Sequence, residues 1–274
     1  ETMRMEMTDF FAVILSPWAQ AKFGHTIAAG YVTGAMFVLA ISAWYLLKGR
    51  DLEFAKRSFR VAAAFGLVTF LFTAQMGDES GYLVAKDQPA KLASMEAIWE
   101  TQPAPAPMQI FGLHDVEKQT SNAVIEVPWL AGILSTRSLD TELIGIKELV
   151  AQNRARIERG AKAVETLTAL RQDPTNLALR ETFKTQKDDL GYGLLLRKYT
   201  ADPAKATPEM IDQAALDTIP NVNIMFWSFR VMVTCGVLMI LLFGLALYYS
   251  AKDLITNRRW LLKFALFALP LPWL

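Results

Sequence analysis

Residues Phe23 to Leu47 read FGHTIAAGYVTGAMFVLAISAWYLL, 25 consecutive residues without a formal charge and with one histidine, His25, close to the start. A helix rises about 1.5 Å per residue and needs roughly 20 apolar residues to cross the hydrocarbon of a bilayer, so this stretch predicts a transmembrane helix. An imidazole inside such a segment is costly and calls for a functional or packing partner.

Working outward, Val231 to Ser250 is a second uncharged stretch, approached through Asn221 to Phe229 and interrupted by Arg230. Val61 to Gly77 gives 17 uncharged residues, with Arg60 able to extend the span by reaching its charge to the interface. Trp260 to Leu274 begins another apolar helix containing Lys263, and Pro270, Pro272 and Trp273 close the sequence. The chain opens at Glu1 without the basic, apolar and small-residue blocks of a signal peptide. Together these ends predict an internal piece of a longer membrane protein, truncated at both ends.

Composition agrees, with 53% hydrophobic residues and a mean hydropathy of +0.23. The single cysteine, Cys235, excludes an internal disulfide and lies in a predicted span. Lys48, Arg50, Lys56, Arg57 and Arg60 make one short connection basic, and Lys252, Arg258, Arg259 and Lys263 do the same for another. The positive-inside bias puts both in the cytoplasm and the long segment between them outside. That segment, 77–222, holds 16 Lys and Arg against 21 Asp and Glu, which argues against nucleic acid or anionic lipid as its partner.

The expected organisation is an extracytoplasmic lead-in over 1–17, two transmembrane helices joined by a basic cytoplasmic loop over 18–76, an extracytoplasmic domain over 77–222, and a transmembrane helix, cytoplasmic loop and truncated transmembrane helix over 223–274. Inside the long segment, Pro89 to Glu100 reads as a short helix ahead of an extended Pro103, Pro105, Pro107 run. Thr141 to Arg171 carries an apolar set at helical period, and Asp173-Pro174 stops it. Leu177 to Leu190 reads as a helix capped by Gly191, and Pro208 to Thr218 as one capped by Thr207. The fold class is all-α: a multi-pass transmembrane bundle with a large, mostly helical extracytoplasmic loop.

His25 follows Pro17 by eight residues, and Met232 follows Pro220 by twelve on a helix running in the same direction. Both then lie roughly 12 to 18 Å along their helices. A histidine and a methionine at one depth form an axial pair for a low-spin haem, and methionine raises its reduction potential. Ala28, Ala29 and Gly236 supply the small neighbours that a flat macrocycle needs. The plainer readings are a helix–helix hydrogen bond for His25 and gap filling for Met232, one of 11 methionines. Arg230 either snorkels to the interface or holds a haem propionate in its guanidinium fork, although residues two apart do not share a helix face.

Several separate segments carry a resemblance: AQAKFGHTIAAGYVTGAMFVLAISAWYLLKGRD (Ala19 to Asp51), GDESGY (Gly77 to Tyr82), ETQPAPAP (Glu100 to Pro107), KDDLGYGLLLRKY (Lys187 to Tyr199) and FRVMVTCG (Phe229 to Gly236). Together the chain resembles subunit I of cytochrome bd-type quinol oxidases of the long Q-loop kind, over essentially its whole length. The resemblance implies a bacterial plasma-membrane terminal oxidase that oxidises quinol and reduces dioxygen to water. It implies His25 and Met232 as axial ligands of the low-spin haem b, with Arg230 beside that haem. The outer segment corresponds to the quinol-binding Q-loop, in which Lys91 and Glu96 of AKLASMEA match the quinol-site lysine and glutamate. Asp78 and Tyr82 stand at its entrance as weaker candidates.

The family's high-spin haem b and haem d take ligands that fall outside this chain. Subunit II is the implied partner, together with small accessory subunits, surrounding membrane lipid, and ubiquinol or menaquinol as substrate. Quinol loses two protons with its two electrons, so a carboxylate can accept a proton while a lysine holds a developing phenolate. Lys91 and Glu96 are five apart and do not stack on a regular helix, so residue pattern alone reads them as solvated loop charges. His114 in FGLHD likewise reads as a solvated loop residue with no ligand role. Two alternatives stay open: a bis-histidine membrane cytochrome b, which needs a second intramembrane histidine, and a transporter or receptor with a helical ectodomain.

Overall fold

The computed structural model describes residues 7–274, so the first six residues of the expected lead-in lie outside the described part. The chain forms two compact units, one built from Asp9–Leu83 with Trp227–Leu274, the other from Val84–Phe226. Among the described residues eleven α-helices follow in order: α1 (Phe10–Ile14), α2 (Pro17–Lys48), α3 (Leu52–Asp87), α4 (Pro89–Glu96), α5 (Leu130–Thr136), α6 (Ile146–Gln172), α7 (Leu177–Gln186), α8 (Leu190–Leu194), α9 (Pro208–Leu216), α10 (Val222–Ala251) and α11 (Arg259–Phe267). A two-stranded antiparallel hairpin, β1 (Met108–Asp115) and β2 (Thr120–Val127), stands between α4 and α5.

Helices α2, α3 and α10 are each long and apolar enough to cross a membrane. Local chemistry sets the ends of α2. Ser16 Oγ accepts from Ala19 N at 3.2 Å with Pro17 in the first turn, and Gly49 takes φ +67° so that Arg50 N reaches back to Tyr45 O at 3.1 Å. The core of this unit gathers Met36, Leu39 and Ala43 from α2, Phe59 and Ala63 from α3, Leu242, Phe243 and Ala246 from α10, and Leu261 and Leu262 from α11. Gly66 is where α3 and α10 come closest, since a Cβ there would lie 2.2 Å from the Phe243 ring. Arg60 does not simply snorkel: its Nη2 donates to Ser250 O at 2.6 Å and to Asp253 Oδ1 at 3.0 Å.

The span expected over Val61 to Gly77 is the middle of a 36-residue helix, so GDESGY is helical. Loss of hydropathy marks the end of the hydrocarbon, whereas the helix stops only at Gln88, whose φ of −136° reflects the following Pro89. At the other end of the chain α11 covers nine residues and gives way to a 3₁₀ turn at Leu271–Trp273, a shorter helix than Trp260 to Leu274, because Pro270 and Pro272 remove donors.

In the second unit α6 is the central element. Ile157 packs with Leu196, Ala214 and Ala215, and Val150, Ala161, Tyr192, Tyr199 and Ile211 surround them. The helix expected over Leu177 to Leu190 instead passes through a 3₁₀ turn, Lys187–Asp189, into α8, and Gly191 lies inside α8 rather than capping a helix that ends at Leu190. Likewise α4 ends at Glu96, not Glu100, because Ala97 adopts φ 51°, ψ 43°. Among the described residues the hairpin and an isolated antiparallel bridge between Gln102 and Leu143 depart from an all-helical reading. The hairpin strands pair Met108 with Val127, Phe111 with Ile125 and His114 with Ser121, with two register shifts that blur any period of two.

Candidate functional site

His25 lies on α2 against α3. Its Nδ1 is 3.1 Å from the Thr73 carbonyl oxygen. A carbonyl only accepts, so Nδ1 carries the proton, and a neutral ring then keeps its lone pair on Nε2. This is the arrangement by which a second hydrogen bond fixes the tautomer and direction of a ligating imidazole. Gly77 of α3 lies beside the ring, where a Cβ would sit 3.4 Å from His25 Cε1, and Gly24 faces Met76, where a Cβ would lie 3.1 Å from Sδ. Ala28, one turn along α2 from Gly24, is buried.

Met232 belongs to the same unit, on α10 one turn ahead of Gly236. A Cβ at Gly236 would touch the Phe70 ring at 3.1 Å, and the Gly66 contact with Phe243 shows that α3 and α10 run antiparallel. Stepping from the Phe70 level toward Thr73 and Gly77 climbs about 5 to 10 Å of α3, and stepping from Gly236 back to Met232 climbs about 6 Å of α10 in the same direction. His25 and Met232 therefore occupy one layer of the bundle. Met232 is 49% exposed, on a face of α10 open to a group lying against the helix.

Arg230 is half-buried, with its guanidinium carbon 5.4 Å from the Phe229 ring centroid, a cation–π distance. Asp78 and Tyr82 lie four apart on α3, Asp78 exposed and Tyr82 half-buried, so they share one face of the helix. A groove of about 700 Å³, lined almost entirely by apolar side chains of α2 and α3, runs along Ala21, Phe23, Ile27, Tyr31, Phe72 and Met76.

Lys91 and Glu96 are in the Val84–Phe226 unit, on α4. Five residues turn them about 140° apart around the helix axis. Lys91 stays half-buried, whereas Glu96 is 5% exposed, which overturns the expectation of two solvated charges. The buried segment that follows Glu96 is held by backbone hydrogen bonds. Ile98 N donates to Ala93 O at 2.9 Å, and the Ile98 and Trp99 carbonyls accept from Ile146 N and Lys147 N at 2.8 and 3.1 Å. Those two amides are at the start of α6, which has no side-chain cap, so strand-like backbone satisfies the orphan donors of the helix.

Residue pattern also misread His114. It is half-buried on β1, its ring set edge-on to Phe226 with centroids 4.2 Å apart, and its Nδ1 is 2.8 Å from Ser121 Oγ. The signal is invisible without the strand pairing that sets His114 opposite Ser121.

The KDDLGYGLLLRKY segment proves to be packing and ion-pair chemistry. A Cβ at Gly160 would lie 2.3 Å from Gly193 N, so only glycines allow α6 and α8 to cross there. Asp189 accepts from Arg156 Nε at 2.8 Å and Arg159 Nε at 2.6 Å. Partial burial pushes the Asp189 carboxyl up, the two arginine hydrogen bonds pull it down, and the balance leaves it below the usual carboxylate value. Lys198 and Tyr199 both hydrogen-bond to Asp217, whose carboxyl is lowered chiefly by the Lys198 bond.

These features define a helical membrane protein with a layered His/Met pair in one unit and a buried carboxylate in the other. All of residues 1–274 match the family described as cytochrome bd terminal oxidase subunit I, and the chain belongs to that family. It is 43% identical over its full length to cytochrome bd-II ubiquinol oxidase subunit 1 of Escherichia coli (strain K12), covering 53% of that protein. It is 27% identical over 99% of its length to cytochrome bd ubiquinol oxidase subunit 1 of Bacillus subtilis (strain 168), covering 46% of that protein. The chain thus spans about half the length of the curated relatives it matches. Among solved structures it is similar to the bd oxidase from Geobacillus thermodenitrificans, with a TM-score of 0.47 and 22% identity over 92% of this chain and 60% of that one.

Proposed function

We propose that this chain is the quinol-oxidising and low-spin haem part of a bacterial inner-membrane terminal oxidase, which couples quinol oxidation to reduction of dioxygen to water. The observation that carries the reading, beside family membership, is the His25 ring, its Nδ1 committed to Thr73 O, in the same layer as Met232. His25 Nε2 and Met232 Sδ are the ligands for the haem b iron, and Arg230 is the partner for a propionate. The exposed Met232 residue and the committed Nδ1 of His25 are compatible with holding a haem between them. When bound, the haem supplies one-electron transfer; the protein supplies its ligands and their orientation.

Residues 77–222 form the Q-loop, on the extracytoplasmic side of the membrane. Glu96, shielded from water, receives a quinol proton, and Lys91 at the rim steadies the phenolate oxygen. Asp78 and Tyr82, on the outer turns of α3, are the weaker candidates for the entrance of the quinol site. Release of the protons outside adds to the transmembrane gradient. Subunit II and small accessory subunits complete the complex, and the high-spin haem b and haem d take their ligands from residues beyond this chain. Ubiquinol or menaquinol is the substrate.

The first test is a dithionite-reduced minus oxidised spectrum of the purified complete oxidase. His25→Ala and Met232→Leu should each abolish the low-spin b band; an unchanged spectrum in both would reject the pair, and a colourless parent would favour a transporter or receptor. Glu96→Gln should slow quinol oxidation while sparing turnover with an artificial one-electron donor.

A further inference from the structure

We propose that His114 is a positioning residue for quinol binding, acting through Ser121 and Trp99 on the buried segment that carries Glu96; the inference rests on the reading of Glu96 as a quinol-site residue. From Glu96 to Trp99 every residue is at most 8% exposed. The backbone of that segment is held on one side by the start of α6, as described above. Its side-chain anchor on the other side is the indole, whose Nε1 donates to Ser121 Oγ at 2.9 Å. The same oxygen lies 2.8 Å from His114 Nδ1.

An indole N–H only donates, so Ser121 Oγ accepts from it and has its own proton available for His114 Nδ1 when the ring is neutral. When the ring is protonated, the serine oxygen accepts from both sides. The bridge therefore survives either charge state, which makes it an anchor and not a switch. His114 is itself fixed from a third direction, by the Phe226 ring at 4.2 Å and by Asn223 Nδ2, which donates to the His114 carbonyl at 3.4 Å. The chain of contacts runs from the first turns of α10, through the hairpin, to the residue three positions beyond Glu96. A buried carboxylate works only if it stays within about an ångström of its productive place, so a loosened indole should be felt as weaker quinol engagement.

The experiment uses the complete oxidase in membranes, with ubiquinol-1 as probe and Glu96→Gln as the reference variant. His114→Phe keeps an aromatic ring against Phe226 but cannot bond Ser121. His114→Asn places an amide atom where Nδ1 sits and lacks the ring. His114→Phe and Ser121→Ala should raise the KM for ubiquinol-1 about fivefold, the equivalent of one hydrogen bond. Turnover with an artificial one-electron donor and the reduced haem spectrum should not change, and His114→Asn should stay near the parent. An unchanged KM in His114→Phe, with quinol oxidation slowed in Glu96→Gln, overturns the role of His114 and leaves the quinol site standing. Quinol oxidation unaffected by Glu96→Gln removes the site and this inference together. Equal loss with both donors, or His114→Asn as impaired as His114→Phe, also overturns the Ser121 route.

Discussion

Gly160 and Gly193 show how tightly single residues constrain the Val84–Phe226 unit. The atoms that a Gly160 Cβ would strike are backbone, Gly193 N at 2.3 Å and Asp189 O at 2.4 Å, so no rotamer change relieves the clash. Gly160→Ala should therefore destabilise the unit by about 1–3 kcal/mol, read as a fall in its unfolding midpoint. Asp189 sets a pH dependence. Its folded-state value lies below the unfolded one of about 3.9, so its stabilisation is complete above that value and is lost as pH falls through the lower folded value. Thermal midpoints of the parent and Asp189→Asn should differ at pH 7 and converge as the pH falls below the unfolded-state value; a gap that persists in acid would mean that the arginine contacts do not act through the carboxylate charge. Glycine spacing in KDDLGYGLLLRKY was readable as a motif, but the partner of each glycine was not, because Gly160 lies 33 residues away from Gly193.

Helices were legible wherever a proline, a cap or a long apolar run marked them, as at Pro17, Thr207 and Pro208. The hairpin was not, because most of β2 is exposed and the register shifts twice, so no alternation survives in the sequence. The start of α6 is similar: Gly145 has no side-chain cap, and its function as a start depends on carbonyls 98 and 99. Thr101 reinforces that junction, its Oγ1 donating to Glu148 Oε2 at 2.7 Å and accepting from Gly145 N at 3.1 Å. Thr101→Val removes both bonds at nearly constant shape. The expected cost is about 1–2 kcal/mol, with hydrogen exchange at the first amides of α6 accelerated by the corresponding factor. Exchange unchanged there would show that the backbone bridge suffices.

Across the molecule, the two basic connections and the acidic stretch between them predict the orientation in the membrane. A cysteine at exposed Lys162 of α6 should react with a membrane-impermeant maleimide in intact cells, and one at exposed Arg57 should react only after the membrane is opened. The reverse pattern would invert the topology, and with it the side proposed above for proton release. Native Cys235 is buried and gives little background. Three helices long and apolar enough to span and the His25/Met232 candidates follow from hydropathy and spacing, because bilayer thickness imposes a length on any apolar helix and the imidazole stands out against it. The burial of Glu96, the tautomer of His25 and the Trp99–Ser121–His114 bridge depend on the folded chain alone. Each joins residues that pack or bond across distant positions, and a linear pattern has no term for which carbonyl, ring or hydroxyl a side chain will meet.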